Sequence, residues 1–368
     1  MIDLNRSGRT TSWRFVRVRR VCTVPSDPDY FEPYYEEIGE IRGIDPNTLS
    51  IEESTESSLK ISGSFDYSDM EDIGDDLLRV YADLELDGET ETICYGTFLV
   101  QTGKETICEG SRSGSADMYS VLSILDRELL TTPVSVDASV PPMYWVKDAM
   151  IHLNVPYVLT PSEKTVSSAY AFDRGVSFLE MINDCLEMIG YASANVDAYG
   201  NVILKPYVSV SDKEPTTYFS DTLDDVSDAE IEREFDTYDV PNHVVVYCDK
   251  DDETTVSGEA LNKDPNNPYS TVSRKMVITR VESVEGLETD EECKAKAELL
   301  LREGMQKVET LIIPHAGKRF AVGDAVKLDY RRSNLEGKYN AYKRTIEGTP
   351  DIASETTIRR TVNLYDEL

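Results

Sequence analysis

Three histidines, His152, His243 and His315, are all the imidazole chemistry that 368 residues offer. None lies in an H-E-x-x-H pattern, which would set two imidazoles on one helix face for zinc with a glutamate beside them as base. His243 adjoins a Val-Val-Val run and reads as a strand-edge residue, and His315 follows Pro314 and reads as part of a turn. The many carboxylates could hold calcium, but no EF-hand loop with its spaced oxygen ligands is present. Glycoside hydrolysis needs two carboxylates facing each other across a cleft. Glu180 and Asp184 stand four residues apart on a predicted helix, and Glu187 joins them within the next turn. Three acids in one row describe a solvated helix face better than a catalytic pair. With 69 acidic residues in the chain, such pairs arise without chemistry behind them.

Nucleophilic catalysis fares no better. No G-x-S-x-G elbow occurs. The six cysteines, Cys22, Cys94, Cys108, Cys185, Cys248 and Cys293, are widely separated and show neither C-x-x-C nor zinc spacing. Several sit in apolar stretches as small core residues, Cys185 among them, and reduced thiols are expected. The glycines of SRSGS (111–115) and of the VGD triplet at 322–324 do not form a phosphate-binding loop. The residue types thus point to no reaction, metal or cofactor.

Charge is the strongest bulk signal. Against the acids stand 37 basic residues, for a formal net charge of -32. A chain of that sign repels a phosphate backbone, so tight nucleic-acid binding is excluded as a main function. The one strongly basic stretch is WRFVRVRRVCTV (13–24), whose Arg14, Arg17, Arg19 and Arg20 alternate with apolar residues. It reads either as a wet strand face or as a contact for an acidic neighbour, a second copy of this chain included. The start, MIDLNRSGRTT, has no apolar run of a signal peptide, and no window is apolar for long enough to span a membrane.

The elements that would position these residues follow from period and turn chemistry. Length predicts two or three domains, and 40% hydrophobic residues supply ordinary cores. Strands are predicted in SLKISGSFDYSD (58–69), LLRVYADLEL (77–86) and ETICYGTFLVQTG (91–103), with Asp87-Gly88 as a hairpin turn. Helical spacing is read over 116–130 after a loop at 111–115, and over 176–189 with Gly190 as C-terminal cap. The paired prolines at 141 and 142 interrupt a strand or a helix start. A strand over 191–196, a turn at 197–200 and a returning strand over 201–206 complete a helix-plus-hairpin module. Residues 212–239 hold eleven acids and two bases and read as loop and exposed helix. Two strands, 242–248 and 273–283, flank the loop EALNKDPNNPYSTVS (259–273), where Asp264-Pro265 and Asn267-Pro268 disfavour helix. A helix is expected over 290–308, then strands over 307–316, 320–330, 338–348 and 355–365.

Taken in order, SGSFDY (62–67), LLRVYADLEL, GTFLV (96–100), GVSFLEMINDCLEMIGYASANVDAYGNVILKPY (175–207), FDTYDVPNHVVVY (235–247), SGEALNKDPNNPYST (257–271), FAVGDAVKLDYRRSNLEGKYNAYKRTIEG (320–348) and IRRTVNLY (358–365) resemble the gp27-like hub proteins of phage tails and contractile injection systems, and the N-terminal hub region of siphophage tail-associated proteins. The resemblance implies a mainly β fold: two barrel-like, tail-tube-related domains, at 1–139 and 208–368, around an α/β insertion at 140–207. It implies a structural, non-enzymatic role in the virion, at the distal end of the tail, after assembly in the host cytoplasm. A homotrimeric ring would join the six-fold tail tube to a three-fold tip, spike or fibre, with tape-measure contact, and DNA would pass through it during ejection without tight binding. Any cell-wall enzyme would then be a separate subunit.

Two surfaces are candidates for contact with a copy or neighbour: Arg14, Arg17, Arg19 and Arg20, and the loop residues Asn262, Asp264, Pro265, Asn267, Pro268 and Tyr269. Prolines lower the freedom a loop loses on binding, which favours the second. A cell-wall-degrading tail hydrolase and a soluble carbohydrate-binding adhesin are the competing readings.

Overall fold

The computed structural model describes residues 8–22, 33–166, 169–221, 230–249, 255–284 and 288–365. In chain order the elements are β1 (Thr10–Cys22), β2 (Pro33–Glu40), β3 (Ile44–Ser54), β4 (Ile61–Ser68), β5 (Leu77–Leu86), β6 (Glu89–Cys108), β7 (Ser111–Ser120) and α1 (Leu122–Arg127). Then follow β8 (Val134–Val136), α2 (Pro142–His152), β9 (Tyr157–Leu159), β10 (Tyr170–Phe172), α3 (Phe178–Met188), β11 (Asn195–Val196), β12 (Val202–Leu204), β13 (Thr217–Ser220) and β14 (Glu232–Glu234). The chain continues with β15 (His243–Asp249), β16 (Thr255–Leu261), α4 (Thr271–Arg274), β17 (Thr279–Ser283), α5 (Asp290–Gly304), β18 (Gln306–Ala316), β19 (Ala325–Tyr330), β20 (Leu335–Glu347) and β21 (Ala353–Asn363). The fold is mainly β with a small α/β insertion. The chain divides into two compact units, Met1–Ala229 with Ile313–Thr356, and Glu230–Ile312 with Thr357–Leu368.

The first unit is organised by one long sheet path, β20-β3-β4-β7-β6-β5-β1-β2, with β19 branching from β20 and pairing in turn with β13. The path ends at β2 and closes into no barrel among the described residues. β5 shows why its sequence is almost continuously apolar. Leu77 and Tyr81 enter one core, with α1, β8 and the helices α2 and α3 and short strands of the insertion. Leu78, Val80, Ala82 and Leu84 enter another with Phe65, Phe98 and Ile346. A strand covered on both faces loses the polar alternation of a half-wet one. β1 divides likewise: Phe15 packs into the second core, Val16 and Val18 into the first.

The insertion follows its sequence closely. Pro142 stands at the first turn of α2, where its missing N–H is no loss. Ser177 caps α3 by accepting from the Glu180 N–H, and Gly190 takes a positive φ just past its end. Of the strand expected over 191–196 only Asn195–Val196 forms, antiparallel to β12, and Tyr191 is joined to Pro206 by a single bridge.

Several expectations are corrected. The helix read over 116–130 is a strand as far as Ser120 and a helix only over Leu122–Arg127. Met118, Val121, Leu122 and Leu125 fit helical spacing, but Ala116, Met118 and Ser120 also alternate inward, and pairing with both β4 and β6 decides for the strand. Residues 111–115 belong to that strand, which the Glu109-Gly110 turn joins to β6; both turn residues have positive φ. The acidic stretch is mostly loop, as expected, but carries the short strands β13 and β14 where exposed helix was expected, with residues 222–229 outside the described set. His315 lies inside β18 and not in a turn.

The second unit holds a three-stranded sheet, β16-β15-β17, backed by α5, and the pairing of β14 with β18 over Thr310–Ile312. β16 replaces much of the expected long loop: residues 255–261 pair antiparallel with β15, so the connection proper runs only from 262 to 270. The strand expected over 273–283 begins only at Thr279, because Ser270 caps the short α4 first. His243 is not on an edge strand, since β15 is paired on both sides. Gly258 lets α5 approach: a Cβ there would lie 2.2 Å from the Lys294 backbone nitrogen. Thr289 and Glu292 close a capping box at the start of α5.

Candidate interaction surfaces

The arginines of β1 reach carboxylates of their own chain. Arg14 donates from Nε and Nη2 to the two Asp83 oxygens, at 2.8 and 3.2 Å, and its guanidinium lies 4.7 Å from the Tyr81 ring centre. Arg17 and Arg19, two apart and so on one face of the strand, both donate to Asp76. Those bonds, Arg19 first, hold the Asp76 carboxyl below its usual range. Arg20 donates to the Leu153 carbonyl at 3.3 Å. The basic stretch is thus largely neutralised within the unit. Arg19 remains the most exposed of the first three, at 51% of its side chain.

A deeper arginine escaped sequence reading. Arg79 of β5 is buried and donates to Thr97 Oγ1, Glu37 Oε1 and the Tyr199 carbonyl, while the Tyr35 and Tyr199 rings lie 5.5 Å away. It ties the turn of the insertion hairpin to the sheet, and Tyr35 Oη reinforces the tie by donating to the Gly200 carbonyl at 2.8 Å. A lone Arg inside an apolar strand was the available signal. Arg344 of β20 is similar. It grips Glu53, its register partner on β3, at 2.8 Å from Nη2, with both side chains about a tenth exposed. In the second unit, fully buried Glu309 accepts from both Arg233 and Arg360.

The 262–270 loop is built by side chains that imitate backbone turns. The side-chain oxygens of Asn262, Asp264 and Asn267 accept from the N–H two residues on, at 3.1, 2.8 and 2.8 Å. Asn267 Nδ2 also donates to the Leu364 carbonyl at 2.6 Å, and Asn262 Nδ2 points at Met305 Sδ. Arg274 stacks on Tyr269 and donates to the Thr237 carbonyl. Asn262, Asn267 and Ser270 are therefore buried, and Lys263, Asp264, Pro265, Asn266 and Pro268 form the exposed outer surface.

The described titratable groups are engaged locally. His315 is buried and donates from Nδ1 to the Ala316 carbonyl, leaving Nε2 to accept from Thr356 Oγ1 at 2.8 Å. Burial pushes its pKa down to about 4. His243 bonds Thr279 and Glu259. Asp184 is raised by burial, with Glu180 and Glu187 adding repulsion. Cys185, Cys248 and Cys293 are buried, whereas Cys108 is exposed. Burial pushes the Cys94 and Cys185 thiols up to about 12, away from thiolate chemistry. Among the described residues no group of three or more His, Cys, Asp or Glu could hold a metal ion. No described helix is long and apolar enough to cross a membrane.

No protein-family model and no curated protein matches the sequence. Solved structures do match in fold, over essentially the whole chain. The tail protein from Neisseria meningitidis MC58 aligns at 12% identity and TM-score 0.51, covering 97% of this chain and 98% of that one. The 43 kDa tail protein of prophage MuSo2 from Shewanella oneidensis aligns at 10% identity and TM-score 0.53, covering 95% and 98%. A chain of the half-lidded Francisella PdpA-VgrG complex aligns at 9% identity and TM-score 0.50; 97% of this chain covers 59% of it. At these identities the likeness is one of fold.

Proposed function

We propose that this chain is a structural hub subunit of a phage tail tip or baseplate. The carrying observation is its end-to-end likeness in fold to two tail proteins of matching extent. In this reading three copies form a ring at the distal end of the tail, matching a six-fold tube to a three-fold tip, spike or fibre. The ring surrounds the passage for DNA, and the tape-measure protein is a further neighbour. Each copy contributes two barrel-like lobes, drawn from residues 1–139 and 208–368, with 140–207 as decoration. The role is geometric and involves no bond making. A net charge of -32 suits it, because an acidic wall lets a phosphate backbone pass without sticking.

The neighbour contacts in this reading use the more exposed members of the two candidate sets, Arg19 on β1 and Asp264, Pro265 and Pro268 on the loop. Arg14, Arg17, Arg20, Asn262, Asn267 and Tyr269 hold those surfaces in shape. Electron microscopy of the purified chain and of native particles is the test. A three-fold ring coaxial with the tail tube is expected. A chain that is solitary at high concentration and absent from the tail axis overturns the proposal.

A further inference from the structure

β6 is twenty residues long, but β5 accompanies it only as far as Phe98. From Gln101 to Cys108 every residue is exposed, and β7 is its one strand neighbour among the described residues. Near its far end β7 is braced: Asp69 accepts from the Arg112 N–H at 2.8 Å and from Ser111 Oγ at 2.9 Å. The outer side of β6 is therefore an open strand edge on a held support. The turn chemistry fixes which groups face outward. Glu109-Gly110 is a two-residue turn with φ of 50° and 92°, the primed type, so the flanking pair Cys108–Ser111 exchanges both ladder bonds. Alternation then turns the N–H and C=O of Ile107 and Glu105 away from β7. A bulge between Thr102 and Glu105 interrupts the edge and confines regular pairing to Glu105–Cys108. Ile107, 66% exposed, marks the middle of that segment.

Proteins normally guard such an edge with charge, proline or a cover. β2, the edge at the end of the sheet path, is guarded in this way: PYYEEIGE carries Glu36, Glu37 and Glu40 and no base. The bulge and Lys104 guard the near part of the β6 edge, and beyond them Glu105–Cys108 carries one glutamate and no proline. Two copies that each bear -32 can meet closely only where local charge is near balance. We infer that the Glu105–Cys108 edge of β6 is a strand-pairing surface for a second copy of this chain. The inference rests on the ring reading above. In a closed ring the contact is heterologous, so this edge meets a different surface of the neighbour.

The test compares the whole chain with Ile107→Pro, Glu105→Pro and Ile107→Thr by sedimentation velocity over a concentration series, with hydrogen exchange on peptides covering 101–108. Each proline removes one outward N–H and leaves the bonds to β7 in place, which near- and far-ultraviolet dichroism will verify; two independent positions guard against a folding failure at one. Association about tenfold weaker in each proline variant is expected, with little change in Ile107→Thr and with slowed exchange at 105 and 107 in the assembled wild type. Ile107→Thr weakening association as much as Ile107→Pro overturns strand pairing in favour of an apolar contact. Wild-type assembly with 105 and 107 exchanging freely overturns the edge assignment and leaves the ring intact. A wild type that never assembles removes the ring reading, and this inference with it.

Discussion

Replacing His315 by glutamine should flatten part of the acid response of the first unit. The imidazole sits in β18 against the Phe219 and Phe320 rings, with ring centres 5.2 and 6.1 Å away. Burial is the main force lowering its pKa to about 4; the hydrogen bond to the Ala316 carbonyl opposes it, and the Arg344 and Lys318 cations add smaller pushes downward. An unfolded histidine titrates near 6.5. Above that value neither state takes up a proton and nothing is lost. As pH falls below it, the unfolded chain binds a proton that the folded chain refuses until about 4, so stability declines through that window. The full difference is about 3 kcal/mol, of which about 2 kcal/mol is lost by about pH 5. Both tryptophans, Trp13 and Trp145, lie in this unit, so urea unfolding followed by their fluorescence reads it selectively. Glutamine has no proton to gain and can still bond Thr356. The wild type should lose about 2 kcal/mol more than His315→Gln between about pH 7.5 and 5. Parallel losses in the two proteins would refute the argument, because carboxylates common to both would then carry the acid response.

Three further outcomes follow from single contacts. Arg344→Ala strands the Glu53 carboxylate at a buried site and should cost the first unit about 3–5 kcal/mol, read by the same unfolding curves; the double change Glu53→Leu with Arg344→Met should recover most of it. Gly258→Ala drives a methyl into the α5 backbone and should destabilise the second unit by about 1–3 kcal/mol, seen as faster exchange of the β15 and β16 amides. Asn267→Ala removes the donor to the Leu364 carbonyl and the acceptor for the Tyr269 N–H. It should cost about 1–3 kcal/mol and expose the loop to limited proteolysis, whereas Asp264→Ala, on the outer surface, should cost less.

Much of the architecture is legible in the chain because local physics and tertiary packing agree there. LLRVYADLEL forms the strand its residues predict to the residue, and the primed turn at Asp87-Gly88 has the positive φ at both positions that its composition requires. α3 stops at the glycine that the sequence marks, and α5 starts where expected, at Asp290, but ends at Gly304 rather than 308 because β18 begins at Gln306. The misreadings fall where two periods overlap or where a partner strand decides. Residues 116–120 satisfy helix and strand spacing at once, and only β4 and β6 choose between them. TVSGEAL is polar enough to pass for loop, and becomes β16 because β15 supplies its ladder while Gly258 admits α5. For the candidate contact residues, the sequence did not show which side chains face inward. Asn262 and Asn267 turn inward to bond carbonyl and sulfur, and the arginines of β1 find Asp76 and Asp83, which lie about sixty to seventy residues away in the chain.

By itself the sequence determined the β-rich composition, the hairpin turn at Asp87-Gly88, the glycine stop after α3 and the strong negative charge. It also offered no motif for metal, cofactor or nucleophile. Those properties depend on residues close in the chain, whose backbone preferences act over one turn of helix or one hairpin. Tertiary structure alone decided which arginines are neutralised, which histidine is dried out, and which strand edge is left bare. Burial and ion pairing are properties of neighbours in space, and no spacing along the chain encodes the distance between Glu53 and Arg344 until β3 and β20 lie side by side.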